Sequence, residues 1–309
     1  RQESRAQLRR RRRLAALGLA LALIAVVAAI VLAGRASSPT HGQGPVAHAS
    51  AHRIRDRRVE HDTARARNGP PGTGHVPILM YHVINPPPAG VPFPGLYVSP
   101  GEFAAQMQAL AAAGYHAVTM DQMLAYWRHG TPLPPGKPVV LSFDNGYQSQ
   151  YTQALPVLRA LGWVGDENVQ LTGLPPSQGG LGQQEIRGLI AAGWELDTQG
   201  FSHADLITLS ASSLHYEVAV SRQELRRRFG VPVNWFCYPS GHYDASVVAE
   251  VAAAGYAGST TVVPGWAHPR DDPYRLHRLR VLGGTSGPAL LSLLAATRSN
   301  PAAPSSYSG

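Results

Sequence analysis

Four predicted strands lead directly into turns that carry polar side chains. The clearest case is the segment PVVLSFDNGYQSQY, in which an apolar run precedes Asp144, Asn145 and Gly146. A carboxylate at the end of a buried strand is costly to desolvate unless it is paired or used. The other turns follow VPILM, WELDT and NWFCY, and they contain His82, Gln199 with His203, and Ser240 with His242. Carboxylate and imidazole groups are common acids, bases and metal ligands, so these turns are candidate functional segments.

Alternating helices and strands must position these turns. A helix-like, Ala- and Leu-rich segment that ends at a glycine and continues into a short strand occurs four times from residue 76 onward, as LAAAGYHAVTM, LRALGWVGDENV, LIAAGWELDT and VAAAGYAGSTT. Glycine just past a helix end is the usual left-handed cap. Continuously apolar strands such as VPILM are typical of a parallel sheet that is covered by helices. The pattern predicts an α/β barrel or a doubly wound sheet, and periodicity alone leaves both open.

The placement of the polar turns favours a shared site. In α/β barrels, the loops at the carboxyl ends of the strands build the active site. All four polar turns follow a predicted strand, so we expect their side chains to meet at one mouth.

The basic character of the chain belongs to its N-terminal part. The whole sequence of 309 residues has a formal net charge of +8. Residues 1–75 contain 14 Arg and four acidic residues, whereas residues 76–309 contain 13 basic and 15 acidic residues. The predicted folded part is therefore nearly neutral, and we expect no nucleic acid partner.

Residues 1–35 have the pattern of a membrane anchor. Five consecutive Arg at 9–13 precede about 20 residues without a charge, which is long enough to span a bilayer as a helix. The positive-inside rule would leave the Arg cluster in the cytoplasm and the rest of the chain on the outer face of a single-pass anchor at the cell membrane. A cleaved signal peptide is the alternative. Residues 36–75 are rich in Ser, Gly, Pro and Arg and are predicted to be a flexible linker.

From residue 76 to about 294, the chain resembles the polysaccharide deacetylases with a NodB homology domain, carbohydrate esterase family 4. The resemblance is carried by PILMYHVI, LSFDNGYQSQY, GWELDTQGFSHADL, FCYPSGHYD and DPYRLHRLRV, in that order. It implies a distorted (β/α) barrel of about seven strands. Such enzymes remove acetyl groups from N-acetylglucosamine-containing glycans, or O-acetyl groups from xylan. Residues 295–309 are expected to be a disordered tail.

The resemblance also implies roles for single residues. The family pattern has two consecutive Asp at the strand end, a general base followed by a ligand of a divalent, zinc-like metal. Asp144 matches the base, and His203 matches one of the two His ligands. Asn145 and Gln199 stand at the other two ligand positions. Because amides are weak, neutral donors for such ions, any metal site is expected to be weak or absent.

Two further histidines are candidates on the same grounds. His82 matches an active-site His of the family, with a structural His at a strand end as the alternative. His277 lies near the position at which many members hold a general acid. The family pattern also implies that the backbone N–H of Tyr238 can face an oxyanion.

The sequence thus favours a membrane-anchored, extracytoplasmic hydrolase that removes acetyl groups from an envelope or surface glycan. N-acetyl groups are the favoured substrate, and O-acetyl groups are the alternative. Its expected partners are an acetylated polysaccharide and the membrane. The alternative is a glycan-binding protein of the same fold that has lost its catalytic activity.

Overall fold

In the computed structural model, residues 69–174, 179–299 and 301–309 are described. The predicted anchor and residues 36–68 of the predicted linker lie outside this part of the chain. Within the described residues, no helix is both long enough and apolar enough to cross a membrane.

A curled sheet of nine strands forms the centre of the domain. Six strands lie side by side and parallel in the order β7-β6-β5-β4-β3-β1, and together with the flanking helices they form a half-barrel. The strands are β1 (Val76–Tyr81), β2 (Tyr115–Ala117), β3 (Lys137–Asn145), β4 (Asp166–Val169), β5 (Glu195–Thr198), β6 (Trp235–Cys237), β7 (Gly258–Thr260), β8 (Trp266–Ala267) and β9 (Leu279–Arg280). Strand β8 runs antiparallel to β1, and β9 runs parallel to it. This curled parallel sheet confirms the coarse prediction of a distorted (β/α) architecture.

The helices begin and end at signals that are legible in the sequence. They are α1 (Pro100–Ala112), α2 (Met120–His129), α3 (Leu155–Ala160), α4 (Gln183–Ala191), α5 (Ala211–His215), α6 (Ser221–Phe229), α7 (Ala245–Ala253) and α8 (Gly287–Ala296). Ser99 and Glu102 form the predicted capping box of α1. The four predicted helix-ending glycines, Gly114, Gly162, Gly193 and Gly255, all have the left-handed backbone conformation.

Strand alternation directs one set of side chains into the curl of the sheet and the other set against the helices. On β3, Phe143 packs outward with Trp163 and Trp194, whereas Asp144 lies on the inner face. The floor of the inner face is apolar and includes Ile78 and Trp235. The polar groups of the inner face therefore lie nearer the carboxyl ends of the strands, apart from one cluster of carboxylates on β4 and β5.

That cluster consists of three carboxylates, from Asp166, Glu195 and Asp197, which approach within 4.8 Å of one another. Asp166 and Glu195 accept hydrogen bonds from the backbone N–H groups of Met120 and Asp121 at the start of α2. Burial raises the pKa of all three carboxyls, that of Glu195 to about 7. Repulsion from Glu195 adds to this effect at Asp166 and Asp197, and repulsion from Asp121 adds to it at Glu195. Protons on this cluster therefore stabilise the folded chain.

The C-terminal segment differs from the predicted disordered tail. Tyr307 pairs with Tyr243 through two backbone hydrogen bonds, and the Tyr243 hydroxyl donates to the carbonyl of Pro304. The carbonyl of Pro301 lies 3.0 Å from Nε2 of buried His277. Residues 301–309 therefore lie against the domain, because they provide hydrogen-bond partners for polar groups that the domain buries.

The carboxylate cluster predicts a loss of stability as the pH rises. Because the folded-state pKa of Glu195 lies above its ordinary value of 4.5, its contribution is complete below about pH 4.5. That contribution is lost as the pH rises through about 7. We expect Glu195→Gln to be more stable than the wild type at pH 8 by about 1–3 kcal/mol and to show little gain at pH 4.5.

Urea denaturation at the two pH values measures this difference. Glu250→Gln removes a surface carboxylate beside His215 and is the matched control, which should follow the wild type at both pH values. An equal effect of Glu195→Gln at pH 4.5 and pH 8 would contradict the assignment.

Candidate active site

One cavity of about 560 Å³ opens at the carboxyl ends of β1, β3, β5 and β6. The five residues to which the family resemblance gives catalytic or metal-ligand positions line it: His82, Asp144, Asn145, Gln199 and His203. They come from three different strand ends, as expected for a site at the mouth of a curled parallel sheet.

Asp144 is held by a buried two-point ion pair with Arg278. The Nη1 and Nη2 atoms of Arg278 donate to Oδ1 and Oδ2 at 2.7 and 2.9 Å, and Nδ2 of Asn168 donates to Oδ1 at 3.0 Å. Burial alone raises the pKa of Asp144, but the guanidinium, His82 and these hydrogen bonds lower it below its usual value. Asp144 is therefore an ionised carboxylate in the folded protein.

Arg278 is the site residue that sequence reasoning missed. Its Nε donates to the carbonyl of Thr261 at 2.8 Å, and its Nη1 also donates to the hydroxyl of Ser142 at 3.1 Å. The sequence pattern that could have identified Arg278 is the alternation in RLHRLRV. It puts Leu276, Arg278 and Arg280 on one face of an extended segment. An Arg on the inward face of a buried strand indicates a carboxylate partner.

His82 lies beside the carboxylate, at the end of β1. Its Nε2 is 4.0 Å from Oδ2 of Asp144. The side-chain amide of Gln150 donates to the backbone carbonyls of both His82 and Asp144, and so it fixes the two strand ends next to each other. Burial lowers the pKa of His82 to about 4, which leaves a neutral imidazole near pH 7.

Asn145 and Gln199 are joined to each other. Asn145 has a left-handed backbone with φ of 76°, and its N–H donates to Oε1 of Gln199 at 3.0 Å. The glutamine is buried, and its own backbone N–H donates to the carbonyl of Val169. The side-chain amide of Gln199 is therefore fixed to the backbone of Asn145 at the cavity wall.

His203 sits on a short loop that a buried carboxylate holds in place. Glu217 accepts hydrogen bonds from the backbone N–H groups of Phe201 and Ser202, both at 2.8 Å, and from the Ser202 hydroxyl. His203 itself has a left-handed backbone with φ of 62°. A non-glycine residue in this region is strained, so the contacts of Glu217 maintain the loop conformation. Sequence reasoning missed Glu217, because it lies 14 residues further along the chain.

The residues at the mouth do not fit a three-ligand, zinc-like site. His203 is the single imidazole among the three expected ligand positions, and both carboxylate oxygens of Asp144 are engaged by Arg278. Oε1 of Gln199 already accepts a hydrogen bond. Among the residues that the structure describes, the only group of three or more His, Cys, Asp and Glu side chains close enough to share an ion is the Asp166 cluster. That cluster lies on β4 and β5 and does not line the cavity.

Of the two other candidates, Tyr238 lines the cavity and His277 does not. His277 points away from the cavity toward Pro301. The N–H of Tyr238 donates to the carbonyl of Thr260 at 3.4 Å, so the neighbouring strand already engages it.

The Glu217 contacts predict a local effect on the His203 loop. Glu217→Ala leaves two backbone N–H groups and one hydroxyl without their acceptor, and we expect a loss of about 1–3 kcal/mol in the free energy of unfolding. We also expect faster amide hydrogen exchange at 200–203. Glu224→Ala, which removes only surface ion pairs with Arg227 and Arg228, is the control. In this variant, hydrogen exchange at 200–203 should match the wild type. Unchanged exchange of the loop in Glu217→Ala would contradict the assignment.

Comparison with known proteins finds polysaccharide deacetylases among the proteins that resemble this chain. Residues 132–259 match the family model described as polysaccharide deacetylase. YxkH of Bacillus subtilis (strain 168), which carries the name of a polysaccharide deacetylase, is 28% identical over 217 residues. That alignment covers 69% of this chain and 74% of YxkH. A segment of 50 residues is 50% identical to the poly-beta-1,6-N-acetyl-D-glucosamine N-deacetylase of Escherichia coli (strain K12), and it covers 16% of this chain and 7% of that protein.

Solved structures have the same fold over most of the domain. The Streptococcus pyogenes deacetylase PplD, solved in complex with acetate, superposes with a TM-score of 0.65 and 26% identity, covering 72% of this chain and 99% of PplD. The polysaccharide deacetylase BC0361 of Bacillus cereus superposes with a TM-score of 0.63 and 26% identity, covering 72% of this chain and 69% of that one. The chain is therefore similar, in sequence over residues 132–259 and in fold over most of the domain, to the polysaccharide deacetylases.

Proposed function

We propose that this protein removes N-acetyl groups from an envelope or surface polysaccharide. The observation that carries the proposal is the pairing of ionised Asp144 with neutral His82 at one cavity of a deacetylase fold. A carboxylate and an imidazole at this separation can share the proton transfers that amide hydrolysis requires.

The arrangement assigns complementary tasks to the two side chains. Water adds to the acetyl carbonyl carbon, and its proton passes to the Asp144–His82 pair. When the carbon–nitrogen bond breaks, the departing amine takes this proton from the same pair. The products are a free amino group and acetic acid, which ionises to acetate. Arg278 keeps Asp144 ionised and oriented throughout, so Arg278 is a positioning residue. Asp144 in turn stabilises the positive charge that His82 carries while it holds the proton.

The substrate class is supported by the relatives. The E. coli protein is named for poly-β-1,6-N-acetyl-D-glucosamine, and PplD was solved with acetate. An N-acetylglucosamine polymer is therefore the first substrate to test. Because the ligand positions hold two amides, we propose that any divalent metal at the mouth is bound weakly or not at all.

We further propose that residues 1–35 anchor the domain in the membrane, with the linker at 36–75 holding it on the extracytoplasmic side. The support is the sequence alone, five Arg followed by an uncharged stretch. Fractionation of cells that express the full chain should place it in the membrane pellet, and removal of residues 1–35 should release it. Full-length chain in the soluble fraction would overturn the anchor.

A glycan-binding protein without hydrolytic activity is the second candidate. It is favoured by Asn145 and Gln199, which replace two charged or imidazole ligands by neutral amides. Such a protein would keep the cavity and bind the polymer without releasing acetate.

Acetate release separates the two functions. The full chain in detergent is incubated with N-acetylglucosamine oligomers, and free acetate is measured beside the metal content of the protein. We expect release by the wild type and a loss of about 10²-fold or more in Asp144→Asn. Asp272→Asn makes the same change outside the cavity and should retain full activity. Binding of the oligomers without acetate release would support the second candidate.

Restoring the family ligands is the follow-up. The double variant Asn145→Asp with Gln199→His should acquire stoichiometric zinc, because it supplies a carboxylate and an imidazole beside His203. If this variant binds no metal, the amides are not what limits the metal site.

A further inference from the structure

The Gln199 side chain is oriented so that its donor end is available to the cavity. Its Oε1 accepts the N–H of Asn145 at 3.0 Å, and the opposite end of the amide is therefore Nε2. Within the described part of the chain, no acceptor for this Nε2 is found, although the residue is only 3% exposed and lines the cavity. An amide N–H₂ group at the cavity wall that has no protein acceptor can donate to a ligand atom that enters the cavity.

Neighbouring side chains can also donate hydrogen bonds into the cavity. The side chain of Asn145 lines the cavity with no hydrogen-bond partner among the described residues, and it also carries an N–H₂ group. The imidazole ring of His203 is a third group that can donate a hydrogen bond into the cavity. The positions at which the family resemblance places ligands for a cation thus hold groups that can donate hydrogen bonds to an anion.

The charge of the cavity favours an anion as well. Among the described residues that line it, Asp144 is the one acidic side chain, and Arg278 neutralises this carboxylate. Arg280 also lines the cavity. With His82 neutral, the lining carries one negative and two positive charges. This balance opposes the entry of a divalent cation and stabilises negative charge that develops inside.

We propose that Gln199 is an oxyanion donor, whose Nε2–H₂ group takes over the charge stabilisation that a metal would otherwise supply. The inference rests on the proposed deacetylase function and names a catalytic residue for it. The side-chain amide of Asn145 and the guanidinium of Arg280 support the same oxygen.

In this step, the oxygen of water forms a bond to the acetyl carbonyl carbon, and the electron pair of the C=O π bond moves onto the carbonyl oxygen. That oxyanion accepts the hydrogen bond from Gln199, while the Asp144–His82 pair takes the proton of water. The electron pair on the oxyanion then re-forms the C=O bond as the carbon–nitrogen bond breaks. The Asp144–His82 pair passes the proton to the departing amine. Acetate keeps one oxygen at the same donors, so free acetate is a probe of this site.

The experiment uses the full chain in detergent and two readouts. The first is acetate release from N-acetylglucosamine oligomers before and after removal of metal with EDTA. The second is binding of acetate ion in the presence of EDTA, followed by NMR. Gln199→Glu keeps the size of the side chain and its acceptor for the Asn145 N–H, but it removes the donor. Gln183→Glu makes the same change at the start of α4, outside the cavity, and is the matched control.

We expect EDTA to leave the activity of the wild type unchanged. Gln199→Glu should lower kcat by about 10²–10³-fold with little change in KM, and acetate binding should be lost. Gln183→Glu should match the wild type in both readouts. Thermal unfolding of each variant shows whether it is folded. The EDTA measurement is made on the wild type, so it tests the inference even if Gln199→Glu does not fold.

Three results would overturn the inference. If EDTA abolishes acetate release and zinc restores it, the proposed function stands and Gln199 is not the oxyanion donor. If folded Gln199→Glu keeps its kcat and still binds acetate, the donor is another group. If the wild type releases no acetate under any condition, the proposed function fails and the inference fails with it.

Discussion

The buried ion pair between Asp144 and Arg278 is the interaction on which the site depends. A carboxylate on the inner face of the sheet would be strongly destabilising without a partner. Arg278 meets both of its oxygens, and it also donates to the Thr261 carbonyl beyond β7 and to Ser142 on β3. The same side chain thus connects the segment that follows β7 with the centre of the sheet. Removing one partner of such a pair costs about 3–5 kcal/mol, because the other charge is left buried alone.

Much of the architecture could be predicted from the sequence because local signals determine it. Capping residues, helix-ending glycines and continuously apolar strands each act within a few positions, and the structure has them where the pattern places them. The convergence of Asp144, Gln199 and His203 was also predictable, since parallel strands bring their carboxyl ends to one edge. The match to the family model at 132–259 leaves out His82 and Arg278, which the fold nevertheless brings to the cavity.

The remaining features depend on contacts between distant parts of the chain. Arg278 meets a carboxylate 134 positions away, and nothing local in RLHRLRV identifies that partner. Glu217 holds the His203 loop from a helical segment that shows no catalytic pattern in the sequence. The Asp166 cluster is equally invisible, because its three acids become neighbours only through the pairing of β4 with β5 and their closeness to the start of α2. The chemical type of each site residue could be predicted from the sequence, but the distant residues that it contacts could not.

The C-terminal segment has a consequence for where the domain can be cut. A fragment that stops at residue 294, the limit of the family resemblance, would lose the last residues of α8 and the whole of 301–309. The ring of His277 and the hydroxyl of Tyr243 would then lose their carbonyl partners, and the surface beneath Tyr307 would be bared. A fragment for expression should therefore extend through residue 309, and an affinity tag is better placed ahead of residue 69 than in place of these last residues.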